Sequence, residues 1–264
     1  MTEATVPSPL LSVERVSRNF GGLVAVSDFS LTVDAGELVG LIGPNGAGKT
    51  TAFNLITGVY KPSAGQVRMT GRRIDGLPPD RINRSGIART FQNIRLFANL
   101  SVLDNVVVGL NHPGERGLVG TILRTPGFAR ARAATEAEGL GLLRTLGLAD
   151  KASFVARNLP YGDQRRLEIA RALATGPRVL LLDEPAAGMN PQEKSDLMNL
   201  IRFIRDRFGV GILLIEHDMK LVMSICERIT VLDHGETIAV GTPTEVQSHP
   251  KVIEAYLGEP LSAT

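Results

Sequence analysis

Hydrophobic residues along the chain follow two spacings, and these alternate. From Leu10 to Ile42 the apolar positions Val13, Val16, Leu23, Val24, Val26, Phe29, Leu31 and Val33 come in short runs. Gly21-Gly22 and Asp34-Ala35-Gly36 interrupt them, which predicts strands joined by turns. Glu37 to Ile42 reads as one more strand, running straight into glycine-rich sequence. A helical spacing follows from Lys49 to Thr57, with Gly58 as its stop, and Gly71 to Pro79 is rich in turn residues. Between Asn99 and Leu159 strand signals are sparse while Ala, Arg, Glu and Leu are frequent. Gly and Pro break Asn111 to Gly127, and Ala129 to Leu146 reads as helix. This stretch is expected to be a helical insertion, not an independent domain. Alternation then resumes. Val179 to Leu182 and Val210 to Ile215 are continuous apolar runs suited to strands buried on both faces of a parallel sheet. Between them Leu197, Leu200, Ile201, Ile204 and Phe208 mark an amphipathic helix. Ile229 to Val240, turning at His234-Gly235, predicts a hairpin. Short helices near Thr244 to Gln247 and Val252 to Leu257 close the pattern. The expected class is α/β with a mainly parallel sheet and an N-terminal antiparallel β region.

Composition narrows the function classes. Among 264 residues, Lys plus Arg number 29 and Asp plus Glu 27, a net charge of +2 that gives no electrostatic case for nucleic acid as partner. The single cysteine, Cys226, rules out an intrachain disulfide and a cysteine-rich metal site. No apolar run approaches the eighteen or so residues of a membrane span. Met1 to Pro9, expected to be a mobile lead-in, lacks the pattern of a secretory signal, so a reduced, cytoplasmic chain is expected.

Two motifs carry chemistry. Gly43-Pro44-Asn45-Gly46-Ala47-Gly48-Lys49-Thr50 fits G-x-x-x-x-G-K-[ST], the phosphate-binding loop. Its glycines let successive backbone N–H groups face one anion, and the helix behind it adds its positive end. Lys49 supplies a point charge for the β and γ phosphates, and Thr50 a hydroxyl for Mg²⁺. Leu180-Leu181-Leu182-Asp183-Glu184 ends a buried strand in two acids, at the edge where parallel sheets bind ligands. Asp183 would hold Mg²⁺, directly or through water. Glu184 would orient or deprotonate an attacking water.

With these residues in place, the chain resembles the ATP-binding cassette (ABC) ATPases over nearly its whole length. The resemblance implies a single cassette over residues 1–264, with a catalytic P-loop core at 10–98 and 160–264 and the helical insertion at 99–159. Leu159-Pro160-Tyr161-Gly162-Asp163 stands where the family carries Leu-Ser-Gly-Gly-Gln. Leu159 and Gly162 agree, whereas Pro160, Tyr161 and Asp163 depart, and proline has no hydroxyl to offer a γ phosphate. Phe20 resembles the aromatic that stacks on adenine, beside a nucleotide-binding set completed by the loop residues and Thr51. Gln92 resembles the glutamine that reaches Mg²⁺ and the attacking water, His217 the switch histidine, and Ala187-Gly188-Met189-Asn190 the loop that crosses the dimer interface. Asn190-Pro191 is also an ordinary helix start. The metal set is then Thr50, Gln92 and Asp183, and the catalytic set Glu184, His217 and Gln92.

Further runs narrow the likeness. Arg89-Thr90-Phe91-Gln92 with Arg95-Leu96-Phe97, Gln164 to Arg171, Glu184-Pro185-Ala186-Ala187-Gly188, Glu216 to Val222 and the ending Ala255-Tyr256-Leu257-Gly258 are similar to the ATP-binding subunits of bacterial high-affinity branched-chain amino-acid importers. That subgroup implies ATP and Mg²⁺, separate transmembrane permease subunits, a second ABC ATPase subunit (an identical or a related chain) that covers the bound ATP with its signature, and indirectly a solute-binding protein. It places the chain peripherally on the cytoplasmic face of the inner membrane. Asn93, Ile94, Arg95, Leu96 and Phe97 are candidates for the surface facing the permease, with Ile94, Leu96 and Phe97 equally readable as core. Four readings compete: an importer's ATPase, a soluble ABC ATPase serving assembly or repair, another P-loop enzyme, and a nucleotide-binding module without turnover. The absence of an Asn-Lys-x-Asp motif counts against a GTPase, and Glu184 counts against an inert module.

Overall fold

The computed structural model describes residues 8–110 and 126–257. Most of the lead-in and of the Gly/Pro-broken stretch after Asn111 lies outside the described residues.

Two sheets form the frame. Strands β1 (Leu11–Phe20), β2 (Leu23–Val33), β4 (Ala64–Met69) and β5 (Arg72–Arg73) make an antiparallel sheet in the order β2-β1-β4-β5. Strands β3 (Leu38–Ile42), β6 (Ile87–Arg89), β7 (Val179–Asp183), β8 (Gly211–Ile215), β9 (Arg228–Asp233) and β10 (Glu236–Gly241) make the second, in the order β10-β9-β3-β8-β7-β6. In it every neighbouring pair is parallel except the β9/β10 hairpin. The hairpin turn falls at His234-Gly235, both at positive φ, as that dipeptide predicts.

The continuous apolar runs have a direct structural meaning. In β3, Leu38 and Ile42 face one core while Val39 and Leu41 face the other. Leu180 and Leu182 against Val179 and Leu181 in β7 repeat this alternation, as do Ile212 and Leu214 against Leu213 and Ile215 in β8. A strand apolar at every position is therefore covered on both faces. One face packs on α1 (Lys49–Ile56) and the antiparallel sheet. The other packs on α5 (Tyr161–Leu173), α6 (Pro191–Phe208) and α7 (Met219–Ile225), joined by Val102 and Val106 of α3 (Val102–Leu110) and Leu143 of α4 (Pro126–Thr145). Helices α8 (Pro243–Gln247) and α9 (Pro250–Leu257) follow the hairpin.

Boundaries move slightly from expectation. The 129–146 helix spans Pro126–Thr145, and the strand expected from Val210 begins at Gly211. Three short elements, β4, α2 (Pro79–Arg84) and β6, carry too few residues for a periodic signal and were not anticipated. The helix start at Asn190-Pro191 is as read: Asn190 accepts from Glu193 N–H, Glu193 reaches back to the Asn190 N–H, and Pro191 fills the first turn.

Topology places the chemistry. The carboxyl ends of parallel strands share one edge of a sheet. Strand β3 leads into the glycine-rich loop, β6 toward Gln92, β7 to Asp183-Glu184 and β8 to Glu216-His217. Four segments distant in sequence therefore converge on one rim.

Candidate nucleotide site

The loop from Gly43 to Gly48 wraps the N-terminus of α1. Gly48 sits at φ 101°, and a Cβ there would come within 2.7 Å of the Ala25 carbonyl. At Gly43, φ 152°, a Cβ would meet the Leu232 carbonyl at 2.0 Å. Both positions therefore require glycine for contact as well as conformation. Lys49 is buried, and its Nζ donates to the carbonyl oxygens of Gly43 at 2.7 Å and Pro44 at 2.8 Å. Burial lowers the lysine's pKa, against the upward pull of Glu184 and then Asp183. Phe20, Leu23, Val24, the loop, Thr50, Thr51 and Glu184 line an open cleft of about 650 Å³. Phe20 lies at the cleft with 39% exposure, its ring meeting Tyr60 edge-on at 5.1 Å and carrying the Arg18 guanidinium at 4.7 Å. Sequence reading did not anticipate these two neighbours.

The rim brings Gln92, Glu184 and His217 together. Gln92 Nε2 donates to Glu184 Oε2 at 2.7 Å, and His217 Nδ1 lies 3.7 Å from the same oxygen. Glu184 has φ 44°, a left-handed conformation that a non-glycine residue adopts at a cost. Its backbone N–H is fixed to the Ile215 carbonyl at 2.9 Å. Such strain, tolerated on a buried strand's end, is common at reacting positions. Behind His217, Glu216 is buried and accepts from Ala186 N–H at 2.9 Å, with burial raising its carboxyl pKa. Asp218 accepts from Leu221 N–H and caps α7, and that helix rests on Gly40 of β3, where a Cβ would meet Val222 at 2.9 Å.

Asp183 is 5% exposed, and its Oδ2 pairs with Arg89 Nη2 at 2.8 Å. Arg89 also donates to Asn54 and Thr57 of the α1 segment. Sequence reading noted Arg89 within a motif without giving it a partner. Thr50 and Asp183 offer hard oxygen donors of the kind Mg²⁺ takes, and among the described residues no cluster of three or more His, Cys, Asp or Glu would hold a metal by itself. Mg²⁺ is ordinarily held by one or two protein oxygens together with substrate phosphates, so this sparse set fits it.

The signature segment stands apart. Leu159 is buried, Pro160 precedes the first turn of α5, and Tyr161 is 45% exposed. Pro160, Gly162 and Asp163 line a small recess with Met189, Glu193 and Asp196, sharing no residue with the Lys49 cleft. Asp163 pairs with Lys151 at 2.5 Å. Of the residues expected to face a permease, Ile94 and Leu96 are half-buried, while Asn93, Arg95 and Phe97 are exposed. Leu96 and Phe97 line a groove of about 620 Å³ with Phe91, Val108, Arg84, Arg95 and Arg171.

Comparison with known proteins finds relatives along nearly the whole chain. Residues 26–187 match the family model described as ABC transporter, and residues 236–261 match Branched-chain amino acid ATP-binding cassette transporter. The chain is 49% identical to the high-affinity branched-chain amino acid transport ATP-binding protein LivG of Salmonella typhimurium, covering 95% of this chain and 98% of that one. It is 46% identical to BraF of Pseudomonas aeruginosa, an ATP-binding protein of the same description, over the same shares. A crystal structure of a nucleotide-free ATP-binding cassette from an ABC transporter superposes with a TM-score of 0.82 at 30% identity, covering 96% of this chain and all of the other. A family model over residues 26–187 and relatives 46–49% identical over 95% of the chain make it a member of the ABC transporter ATP-binding family, an ATPase whose hydrolysis is coupled to transport.

Proposed function

We propose that this chain powers the import of branched-chain or other hydrophobic amino acids, hydrolysing ATP while docked on separate permease subunits at the cytoplasmic face of the inner membrane. One observation carries the hydrolytic part: a single carboxylate, Glu184, lines the Lys49 cleft and is met by both Gln92 and His217. The likeness to LivG and BraF supports the solute class.

In this reading the loop N–H groups of residues 43–50 and Lys49 bind the phosphates, and Phe20 stacks on the adenine, its edge braced by Tyr60. Thr50, Asp183 and Gln92 would hold Mg²⁺, which would supply charge to neutralise the phosphates. Glu184 orients the attacking water and accepts its proton, Gln92 fixes the carboxylate's direction, and His217 donates toward the γ phosphate. Leu159, Pro160, Tyr161, Gly162 and Asp163 cover the ATP of a second ATPase subunit, whose own signature covers this one. Pro160 brings no hydroxyl, so that cover relies on the N-terminus of α5. Residues 10–98 and 160–264 act as the catalytic core and 99–159 as the inserted helical part. The groove beside Phe97 receives a permease segment, and a solute-binding protein delivers the amino acid from outside.

The test is solute-stimulated ATPase activity in a reconstituted complex, screened across amino acids. Stimulation by leucine, isoleucine or valine is expected. Stimulation by an unrelated solute alone would remove the import assignment and leave the ATPase standing. Lys49→Ala should weaken ATP binding at least tenfold, and unchanged affinity would remove the P-loop's role.

A further inference from the structure

The departing signature has an internal partner. Arg165 is fully buried on α5, one turn from Tyr161. Its Nη1 donates to the Phe91 carbonyl at 2.6 Å and to Glu168 Oε2 at 2.7 Å, and its Nη2 to the Gln92 carbonyl at 2.8 Å. Glu168, one turn further on, accepts from the N–H groups of Phe91 at 3.3 Å and Arg95 at 3.2 Å. Two side chains of one helix thus hold the backbone of the Gln92 loop by both its carbonyls and its amides. On the other side, Arg165 Nη2 lies 3.4 Å from the Tyr161 hydroxyl, which donates to the Ala187 carbonyl at 3.1 Å. Ala187 N–H in turn donates to the Glu184 carbonyl at 3.2 Å. Since Gln92 also touches Glu184 through its side chain, the contacts close a ring: Gln92, Arg165, Tyr161, Ala187, Glu184.

We propose that Tyr161 and Arg165 are positioning residues that set Gln92 against Glu184, so that a shift of the α5 N-terminus moves both reacting-side groups together. The physical reason is that a buried guanidinium cannot let go of its partners cheaply: leaving them would strand the Glu168 carboxylate in a dry interior and give up the bonds to two part-buried carbonyls. The loop must therefore follow the helix. In this role a tyrosine at position 161 supplies what a small signature residue lacks, a hydroxyl reaching the loop after Glu184. The inference rests on the reading of Gln92 and Glu184 given above and adds to it which residues hold them.

Tyr161→Phe removes one hydroxyl and keeps the ring. In the reconstituted complex it should lower kcat by about ten- to a hundredfold, as a displacement near 1 Å does. In a Gln92→Ala background the same substitution should lower kcat no further, because it acts through Gln92. In the full chain without nucleotide, where no second signature is engaged, hydrogen exchange at the amides of residues 91–95 and 186–189 should speed up together. Arg165→Lys, which keeps the charge opposite Glu168 but has a single nitrogen to share between the carbonyls, should fall between wild type and Gln92→Ala. A Tyr161→Phe enzyme with wild-type kcat, or effects that multiply with those of Gln92→Ala, overturns the proposal while leaving Gln92 its role. A Gln92→Ala enzyme with wild-type turnover overturns both.

Discussion

At the scale of single residues, the inner wall of the site is a set of charges that compensate one another out of reach of water. Asp183 ends a strand with almost no exposure, and Arg89 neutralises it while tying β6 to α1 through Asn54 and Thr57. Arg89→Met would leave a buried carboxylate without its hydrogen-bonded cation, with only the more distant Lys49 charge beside it, a loss of about 3 kcal/mol. For a chain of this size that corresponds to a fall in Tm of roughly 10 °C. Arg89→Met combined with Asp183→Asn should recover most of the loss, because the stranded charge is then absent. Calorimetry on the three variants checks this, and a double variant no more stable than Arg89→Met would show that Arg89 acts mainly through Asn54 and Thr57. This pairing was not legible in the sequence. Arg89 and Asp183 are 94 positions apart, and nothing local marks an arginine that will meet an aspartate on the next strand. Gly43 through Thr50 could be read because the chemistry is local: consecutive backbone amides need consecutive permissive residues. The Arg165/Glu168 pair is intermediate, its i,i+3 spacing visible in the sequence and its grip on Phe91, Gln92 and Arg95 visible only in the fold.

At the scale of elements, His217, proposed to face the γ phosphate, hangs from the end of a strand whose next helix is separately anchored. His217 follows β8 and precedes α7, and Asp218 fixes that junction twice, capping the helix through Leu221 N–H and pairing with Lys194 of α6 at 2.8 Å. The hydrogen bond from Lys194 is the main cause that lowers the Asp218 pKa below its ordinary 3.8, opposed by partial burial. A carboxyl with a depressed folded pKa stabilises the fold above its unfolded value and loses that contribution as the pH falls through the folded one. Asp218→Ala should therefore cost about 1 kcal/mol at neutral pH, the usual worth of a cap. The gap from wild type should narrow as the pH drops below 3.8. Urea melts across that range measure it, and a gap that widened in acid would reverse the assignment. Strands β3, β7 and β8 were readable from their runs because burial on both faces makes every position apolar. Strand β6 and helix α2 were not, being three and six residues long, shorter than any periodicity needs.

At the scale of the molecule, the Lys49 cleft and the signature recess share no residue. In the proposed reading one chain carries two half-sites with different chemistry. A phosphate bound on the loop has a face that its own signature does not line, and the α5 N-terminus has no phosphate from its own loop. Two copies related by a two-fold axis would supply each other's missing half, since a two-fold pairing brings surface i to j and j to i at once. The whole-chain prediction is complementation between copies. Glu184→Gln retains the loop and the recess but removes the carboxylate proposed to activate water, so with ATP and Mg²⁺ it should sediment as a dimer, its apparent mass rising with protein concentration. Adding Lys49→Ala to that background disables the loop half alone. Adding Gly162→Asp disables the recess half alone: a Cβ at Gly162 has room, meeting only the Glu193 carboxylate at 3.9 Å, and the added acid repels phosphate, with a melting curve checking that the Glu193 cap holds. Each doubly altered chain should stay monomeric by itself. Mixed in equal amounts, they rebuild one complete site between the intact loop of one and the intact recess of the other, and ATP-dependent association should return to a fraction of the mixture. If Glu184→Gln remains monomeric with ATP at every concentration, the covering signature belongs to a related chain, and the same mixing experiment then applies to the pair.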